Sequence, residues 1–362
     1  MTEEEYWYWL VNIDGMWHGK IKKILDKTGT PRELYNSSDN ILKSIKCINE
    51  KDIHNIKESK KSSNVLNQLS LLSEKNIKFI YLTHKNFPER LKNICDAPYA
   101  LFVKGRLPEN EKPAAAIIGT RLCTNYGKSI AQKLAGELSG YGVNIISGLA
   151  KGIDSAAHRG TVNSGGHTYA VLGNGVDICY PRENIDLFCQ CIESGGIISE
   201  YPLGTKPVPW QFPYRNRIIS GLSDIIIVVE AKEKSGSFIT VEAALEQGRD
   251  VYAVPGRIGD VMSSGCNKLI KSGAGIVTEA ADVLLGLGIS NVTNKENSLK
   301  NKFALEKDLQ VVYSCFDLLP KGLEQISAET GYDIRDLMQI IVKLQLMDLI
   351  SEPIKNHYAK KI

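Results

Sequence analysis

The sequence has 362 residues, of which 43% are hydrophobic and 23% charged, and its formal net charge is +3. These values are typical of a globular protein with two or three domains, and they exclude a disordered chain or a strongly basic one. No apolar run approaches the ~20 residues that cross a bilayer, and the acidic positions 3–5 are unlike a signal peptide. We therefore expect a cytoplasmic protein without a membrane segment.

Metal binding is not indicated by the cysteines. The chain has eight cysteines but no CxxC pair, and Cys189 and Cys191 have no second Cys or His pair nearby. A zinc site needs such a second pair, so we expect reduced thiols and no metal.

Residues 1–75 predict a helical domain. Apolar residues recur at helical spacing, and glycine turns at positions 14–15 and 28–31 interrupt them, with Pro31 suited to a first helical turn. Helix–turn–helix units of this kind either hold a nucleic-acid backbone through turn amides or simply pack together. The sequence favours packing.

Residues 76–287 predict an open parallel sheet. Two short strands, at 78–82 and 97–105, precede a regular alternation of strands and helices. Strands are predicted at 114–119, 143–147, 168–172, 196–199, 225–229, 250–254 and 275–277, and helices at 124–141, 153–164, 183–194, 238–247 and 266–272. Such alternation is typical of a Rossmann-like α/β core, in which ligands bind beyond the carboxyl ends of the strands.

The last part of the chain predicts a linker at 288–308 and a winged helix at 309–362. Two helices followed by a small hairpin are the order of a winged helix-turn-helix. The second helix presents Arg335, Asp336, Gln339 and Lys343, a mixed face that suits duplex phosphates poorly. A protein contact is therefore favoured over weak DNA contact.

Four loops at predicted strand ends combine glycines with cationic or hydroxyl side chains. They span 119–127, 147–154, 173–181 and 234–240. Gly119 permits a tight turn, the following helix offers unpaired amides to a phosphate, and Arg121 adds a guanidinium matched to phosphate oxygens. A strict GxGxxG or Walker pattern is absent, so dinucleotide or triphosphate binding is not indicated.

The segment 212–223, FPYRNRIISGLS, places Arg215 and Arg217 two residues apart. Positions i and i+2 share a face of an extended segment but lie about 200° apart on a helix. We interpret the segment as extended and both arginines as anion ligands at the mouth of the sheet. The alternative is a structural ion pair with Glu200 or Glu230.

The central domain is not basic in bulk, since residues 113–287 hold 15 Lys and Arg against 16 Asp and Glu. An anion site must therefore come from a few cations placed in loops, and the loops above predict such an edge. Asp154 and His158 share a helix face four residues apart, where a structural contact is favoured over acid–base chemistry. No catalytic constellation is evident.

Seven blocks of sequence resemble the signature blocks of the DNA-processing protein A family, also called Smf. They are IIGTR (117–121), ISGLAKGID (146–154), AVLGNGVDICYP (170–181), SEYPLG (199–204), FPYRNRIISGLS (212–223), SGSFITVEAALEQGR (235–249) and AVPG (253–256). They follow the family's order and cover most of residues 78–285. The flanks resemble the family's layout, which implies an N-terminal helical domain of SAM or helix-hairpin-helix type, an extended Rossmann-like core and a C-terminal winged helix.

The resemblance implies a protein that is not an enzyme, needs no cofactor and binds single-stranded DNA. Members of the family protect incoming DNA during natural transformation and load the RecA recombinase on it, usually as homodimers. The implied DNA-binding residues are Gly119, Thr120, Arg121, Gly148, Lys151, Gly152, Arg215, Asn216, Arg217, Ser235, Gly236 and Ser237. Thr120 stands where the family often has serine and keeps the hydroxyl.

Two questions stay open from the sequence. The aromatic residues near the basic loops either stack on bases or seal hydrophobic loops; they are Tyr126, Tyr180, Trp210, Phe212 and Tyr214. An enzyme alternative comes from phosphoribohydrolases of lysine-decarboxylase-like type, which Thr240 and Glu242 partly resemble, although their PGGxGT-type loop is missing. A purely protein-binding scaffold is a third possibility.

Overall fold

The computed structural model describes residues 1–46, 48–61, 65–289, 307–317, 320–347 and 349–360. Helices form its N-terminal part: α1 Glu3–Val11, α2 His18–Thr28, α3 Pro31–Tyr35, α4 Asp39–Lys43, α5 Glu50–Lys61 and α6 Val65–Glu74. Capping boxes begin α1 and α3, because Thr2 and Thr30 each exchange hydrogen bonds with the glutamate three residues later. Pro31 occupies the first turn of α3, as predicted.

A nine-stranded sheet forms the centre of the described chain. Its strands are β1 Ile77–Tyr81, β2 Ala100–Gly105, β3 Ala114–Ile118, β4 Asn144–Ser147, β5 Thr168–Val171, β6 Gly196–Ser199, β7 Ile225–Val228, β8 Asp250–Ala253 and β9 Gly275–Ile276, in the order β1-β2-β6-β5-β4-β3-β7-β8-β9. All neighbouring strands among β3–β9 pair in parallel, whereas β2 is antiparallel to both of its neighbours, β1 and β6. The predicted parallel α/β core is confirmed, and an antiparallel pair extends it.

Helices cover both faces of this sheet. They are α7 Glu89–Lys92, α8 Asn125–Gly140, α9 Ile153–Asn163, α10 Ile185–Ser194, α11 Gln211–Gly221, α12 Ser237–Glu246, α13 Ser264–Lys271 and α14 Ala280–Gly286. Alternate residues of β3 pack to opposite sides, with Ala116 facing the α11–α13 side and Ala115 and Ile117 facing α8, α9 and α14. The central strands are buried on both faces, which is why β3 and β7 are unbroken apolar runs.

The chain order of the strands creates a crevice between β3 and β7. From β3 the chain adds β4, β5 and β6 on one side, and it then returns to place β7 on the other side of β3. The loops that leave β3 and β7 therefore diverge at the carboxyl edge. Ligands of open α/β sheets bind at such a switch point.

The N-terminal helices pack against the sheet through aromatic residues of α1. Trp7, Tyr8 and Trp9 are buried, and the Tyr8 ring contacts the rings of Phe79 and Phe102 edge-on at centroid distances of 5.1 and 6.3 Å. The favoured interpretation of these helices as packing elements agrees with this contact.

The C-terminal part has its own small core, which includes Phe316, Leu337 and Ile341. Its elements are α15 Lys307–Cys315, β10 Lys321–Gly322, α16 Leu323–Thr330, α17 Ile334–Leu346, β11 Ile350–Ile354 and β12 His357–Lys360. The predicted helix pair and hairpin are present in the order of a winged helix-turn-helix. Most of the predicted linker, 290–306, lies outside the described residues, and the domain boundaries remain predictions.

Within the described ranges, no helix is long and apolar enough to cross a membrane.

Candidate nucleic-acid interface

A cavity of about 400 Å³ opens at the carboxyl edge of the sheet, between the loops that follow β3 and β7. Residues of α11 form its third wall. Eight residues predicted from the sequence line it: Gly119, Thr120, Arg121, Arg215, Asn216, Ser235, Gly236 and Ser237. The sequence therefore locates this cavity, although four predicted residues lie outside it.

Glycines allow the loops around the cavity to approach each other closely. A Cβ at Gly119 would lie 2.6 Å from Cγ1 of Ile153 and 2.7 Å from the carbonyl oxygen of Glu230. Gly152 has a φ of +79°, and a Cβ there would collide with the carbonyl oxygen of Thr120. Both positions require glycine for packing between the loops, so they shape the site without contacting a ligand through a side chain.

The Glu230 carboxylate fixes the loop that bears Arg121. Thr124 donates its backbone N–H to Glu230 Oε2 at 2.8 Å and its hydroxyl to Oε1 at 2.5 Å. The same hydroxyl accepts the backbone N–H of Gly127 at 3.0 Å, which confirms Thr124 as the N-cap of α8. Glu230 is thus a positioning residue and not the ion-pair partner of an α11 arginine.

Arg121 is exposed at the rim of the cavity and makes no ion pair within the described part of the chain. Its guanidinium carbon lies 5.6 Å from the ring centroid of Phe212. The Phe212 ring in turn stacks on Tyr180, with centroids 5.4 Å apart and planes inclined by 25°. Arg121 is therefore held over an aromatic surface with its donors free for an anion.

The prediction of an extended segment around Arg215 and Arg217 is wrong, because residues 211–221 form helix α11. On a helix the two side chains point in opposite directions. Arg215 lies under the cavity, where its Nη1 donates to the carbonyl oxygens of Gly148, at 2.9 Å, and Val171. Burial lowers the pKa of Arg215 to about 10, which leaves it cationic at neutral pH.

Asp154 accompanies Arg215 beneath the cavity. Its Oδ2 accepts the backbone N–H of Gly148 at 3.1 Å. Burial raises the pKa of Asp154, and the nearby Arg215 charge opposes that shift. A Cβ at Gly148 would lie 2.5 Å from Nη2 of Arg215 and 2.7 Å from Oδ2 of Asp154, so this glycine admits both side chains.

Arg217 points away from the cavity. Its Nη2 lies 2.6 Å from Oε2 of Glu200, both side chains are about nine-tenths buried, and its guanidinium carbon is 4.1 Å from the ring centroid of Tyr214. This is the structural ion pair that the sequence left as the alternative. Lys151 also lies outside the lining; it is exposed and its Nζ is 2.5 Å from Oε1 of Glu183.

Asp154 and His158 do not form the contact favoured from the sequence. His158 Nδ1 instead lies 2.6 Å from the hydroxyl of Thr168. Burial lowers the pKa of His158 to about 3, so the imidazole is neutral at pH 7 and has a structural role.

Lys232 is a cavity residue that the sequence analysis missed, and Lys234 is one that it placed in a candidate loop without predicting it as a binding residue. Both are exposed and belong to the loop after β7. Lys234 begins the fourth loop noted above, but the order of the strands decides that this loop opens opposite Arg121. Of the described residues lining the cavity, Asp154 is the one carboxylate, and it is only 8% exposed.

Charge and backbone dipoles act together at this edge. Arg121, Lys232 and Lys234 are at the rim, and helices α9 and α12 begin beside the cavity. Helix N-termini carry a partial positive charge that favours an anion. The cavity is therefore suited to an anion with a planar group that can lie against Phe212.

Comparison with known proteins decides the family. The family model of DNA recombination-mediator protein A matches residues 78–288. The chain belongs to this family. The match includes every residue that lines the cavity, and the resemblance noted from the sequence blocks is confirmed.

Individual relatives agree with this membership in the DNA recombination-mediator protein A family. The chain is 46% identical to DNA processing protein DprA of Streptococcus pneumoniae over 198 residues, which cover 55% of this chain and 70% of that protein. It is 30% identical to protein Smf of Synechocystis over 99% of both chains.

Two solved structures are similar to the fold. The X-ray structure of DprA from Streptococcus pneumoniae has a TM-score of 0.67 at 36% identity and covers 79% of this chain and 98% of that chain. DprA from Helicobacter pylori, whose structure addresses its single-stranded DNA binding mode, has a TM-score of 0.52 at 28% identity and covers 58% of this chain and 95% of that chain.

Proposed function

We propose that this protein binds single-stranded DNA at the cavity between β3 and β7. The observation that supports this most strongly is the cationic rim of Arg121, Lys232 and Lys234, which lies beside the amino ends of α9 and α12. Phosphates of the strand contact these cations, while a base lies against the Phe212 ring. The single-stranded DNA binding mode of DNA processing protein A from Helicobacter pylori agrees with this ligand.

An unpaired strand fits the cavity better than a duplex. The volume of about 400 Å³ accommodates a nucleotide, and the walls combine polar groups such as Asn216 with the aromatic ring of Phe212. In a duplex the bases are paired and stacked inside, so they cannot enter. Stacking on an aromatic side chain contributes about 1–3 kcal/mol per base for single strands.

The family resemblance supports a wider role. We propose that the protein covers incoming single strands in the cytoplasm and loads RecA on them, acting as a homodimer. RecA filament formation on a single strand already covered by a single-strand-binding protein measures this role. The protein should accelerate filament formation, and Arg121→Ala should abolish the acceleration; equal rates with and without the protein would contradict the RecA proposal.

Fluorescence anisotropy with labelled oligo-dT and a matched duplex tests the binding proposal. Arg121→Ala should weaken single-strand binding by about 10- to 150-fold, as expected for a lost hydrogen bond to a charged group of about 1.5–3 kcal/mol. Lys271→Ala is the matched control, because Lys271 is an exposed cation in the last turn of α13 and does not line the cavity. Equal weakening by both changes, or tighter binding of the duplex, would contradict the proposal.

The phosphoribohydrolase alternative depends on Thr240 and Glu242. Thr240 lines the cavity, but Glu242 is exposed on α12 and is not part of the lining. The carboxylate on which this alternative depends, that of Glu242, is therefore not part of the cavity. Incubation with nucleoside monophosphates should release no free base, and measurable release that Glu242→Gln abolishes would favour the enzyme.

A further inference from the structure

A second cavity, of about 630 Å³, lies between the N-terminal helices and the sheet. We call it the aromatic cleft, after the rings that line it: Trp17, His18, Tyr99, Tyr201, Trp210 and Tyr214. The proposed function does not use it. Such a concentration of rings around one space is typical of a site for a planar ligand.

Two indole rings at the cleft are exposed and held in place. Trp17 is 57% exposed and lies against Gly19 at the start of α2, where a Cβ would be only 2.5 Å from its Cη2 atom. Trp210 is 60% exposed and contacts the Tyr201 ring edge-on, with centroids 6.3 Å apart. Each indole therefore has a supported position and a surface open to solvent.

The deeper wall is aromatic and nearly without net charge. His18 stacks on Tyr99 with ring centroids 4.8 Å apart, and its Nε2 lies 2.9 Å from the carbonyl oxygen of Ala97. Burial lowers the pKa of His18, which is therefore neutral at pH 7. The Glu200 carboxylate, which also lines the cleft, is paired with Arg217. Such a wall suits an uncharged planar base better than a phosphate.

Helix α11 joins the cleft to the DNA cavity. Gln211 and Tyr214 line the cleft, whereas Phe212, Arg215 and Asn216 line the cavity. Both openings are at the carboxyl edge of the sheet, one beyond β6 and the other between β3 and β7. Three strand spacings of about 4.8 Å separate β6 from β3, and roughly four nucleotides of a stacked strand span this distance of about 14 Å.

We propose that the aromatic cleft is a second subsite for the same single-stranded DNA, in which bases beyond the cavity stack on Trp17 and Trp210. The inference rests on the proposed function, since the cavity supplies the phosphate contacts that deliver the strand. The cleft adds base stacking, and it makes affinity depend on strand length. A strand of about two nucleotides occupies the cavity alone, whereas one of about twelve also reaches the cleft.

Tryptophan fluorescence provides a direct measurement. The chain has four tryptophans, and Trp7 and Trp9 are only 5% and 2% exposed. Quenching on addition of DNA therefore reports Trp17 and Trp210. Twelve-nucleotide oligo-dT should quench the fluorescence, and two-nucleotide oligo-dT should not. A twelve-nucleotide oligomer that is abasic outside two consecutive thymidines should behave like the short one.

Variants separate the cleft from the cavity. Trp17→Leu with Trp210→Leu should weaken binding of the twelve-nucleotide strand by about 5- to 150-fold per lost stack and leave the two-nucleotide strand unaffected. Gly19→Ala keeps both tryptophans but displaces the Trp17 ring, so it should reproduce part of this loss. Arg121→Ala should instead weaken both strands.

The outcomes distinguish failure of the subsite from failure of the proposed function. If Arg121→Ala weakens both strands while neither the tryptophan variants nor Gly19→Ala alter the length dependence, the cleft proposal is overturned and the cavity stands. If the wild-type protein binds neither strand, the proposed function falls, and the cleft proposal falls with it.

Discussion

Replacing Arg217 by methionine should destabilise the protein without removing a DNA contact. The Arg217 Nη2 to Glu200 Oε2 distance is 2.6 Å, and the two side chains are only 9% and 10% exposed. Arg217→Met leaves the Glu200 carboxylate buried without its counter-charge, which costs about 3–5 kcal/mol. For a domain of this size we expect the melting temperature to fall by roughly 6–20 °C.

The double variant Glu200→Leu with Arg217→Met should recover most of that loss. Removing both charges also removes the desolvation penalty, and Arg217 Nε and Nη1 and Glu200 Oε1 have no hydrogen-bond partner in the described structure. Replacement of a buried pair by apolar residues is often neutral or stabilising. Urea denaturation followed by circular dichroism measures the free energy of unfolding of all three proteins.

The pH dependence gives a second signature of the same pair. Burial raises the pKa of Glu200 above its ordinary value of 4.5, and loss of Arg217 raises it further. A raised carboxyl pKa means that the folded state holds its proton to higher pH than the unfolded state does. The deficit of Arg217→Met relative to wild type should therefore grow as the pH rises above the raised pKa of Glu200 in the wild-type protein, and it should be larger at pH 8 than at pH 5.

DNA binding decides between the structural role and a ligand role of Arg217. The double variant should bind two-nucleotide oligo-dT, which occupies the cavity alone, within a factor of about three of wild type, a difference below 1 kcal/mol. A double variant that is as stable as wild type but has lost binding of this short strand would refute the assignment of Arg217 to a structural ion pair.

Three further predictions concern the surroundings of the cavity. Gly148→Ala should destabilise the fold by about 1–3 kcal/mol and weaken oligo-dT binding, since the new methyl group displaces the Arg215 guanidinium. An unchanged melting temperature and affinity would contradict the close contact between Gly148 and Arg215. Lys151→Ala should change the free energy of unfolding by less than about 1 kcal/mol, because Lys151 forms a surface ion pair with Glu183 outside the lining of the cavity. The variant should also lose less affinity for oligo-dT than Arg121→Ala does, and an equal loss of affinity would contradict this placement. The pKa of His158 is lowered to about 3, so below pH 6.5 the unfolded chain takes up a proton that the folded chain does not. The free energy of unfolding should therefore fall by about 1.4 kcal/mol per pH unit below that point. His158→Gln should remove this slope, and an identical slope in the variant would contradict the burial of a neutral imidazole.

Much of the sheet could be predicted from sequence, because buried parallel strands are continuous apolar runs that turn residues interrupt. The β3 and β7 predictions differ from the structure by one residue at their ends. Helix α11 could not be recognised in this way. Arg215, Arg217 and Ile218–Gly221 are all buried, so the helix has no polar stripe opposite an apolar one.

The lining of the cavity could also be predicted only in part, because it depends on how distant segments come together. Loop composition identified Arg121 and the hydroxyl-bearing loop at 235–237, since glycines and cations at strand ends are visible in the sequence. Lys232 lines the cavity because the order of the strands brings the loop after β7 to it. Lys151 lies outside the lining because its side chain turns toward Glu183. Local sequence does not contain that information.

The salt dependence of single-strand binding tests the central proposal most directly. For single strands the slope of log K against log salt concentration changes by about 0.7 for each phosphate contact. Lys232→Ala with Lys234→Ala should therefore make the slope for oligo-dT shallower by about 1.4, while Lys271→Ala leaves it as in wild type. A slope that the double variant does not alter would show that the strand binds elsewhere on the protein.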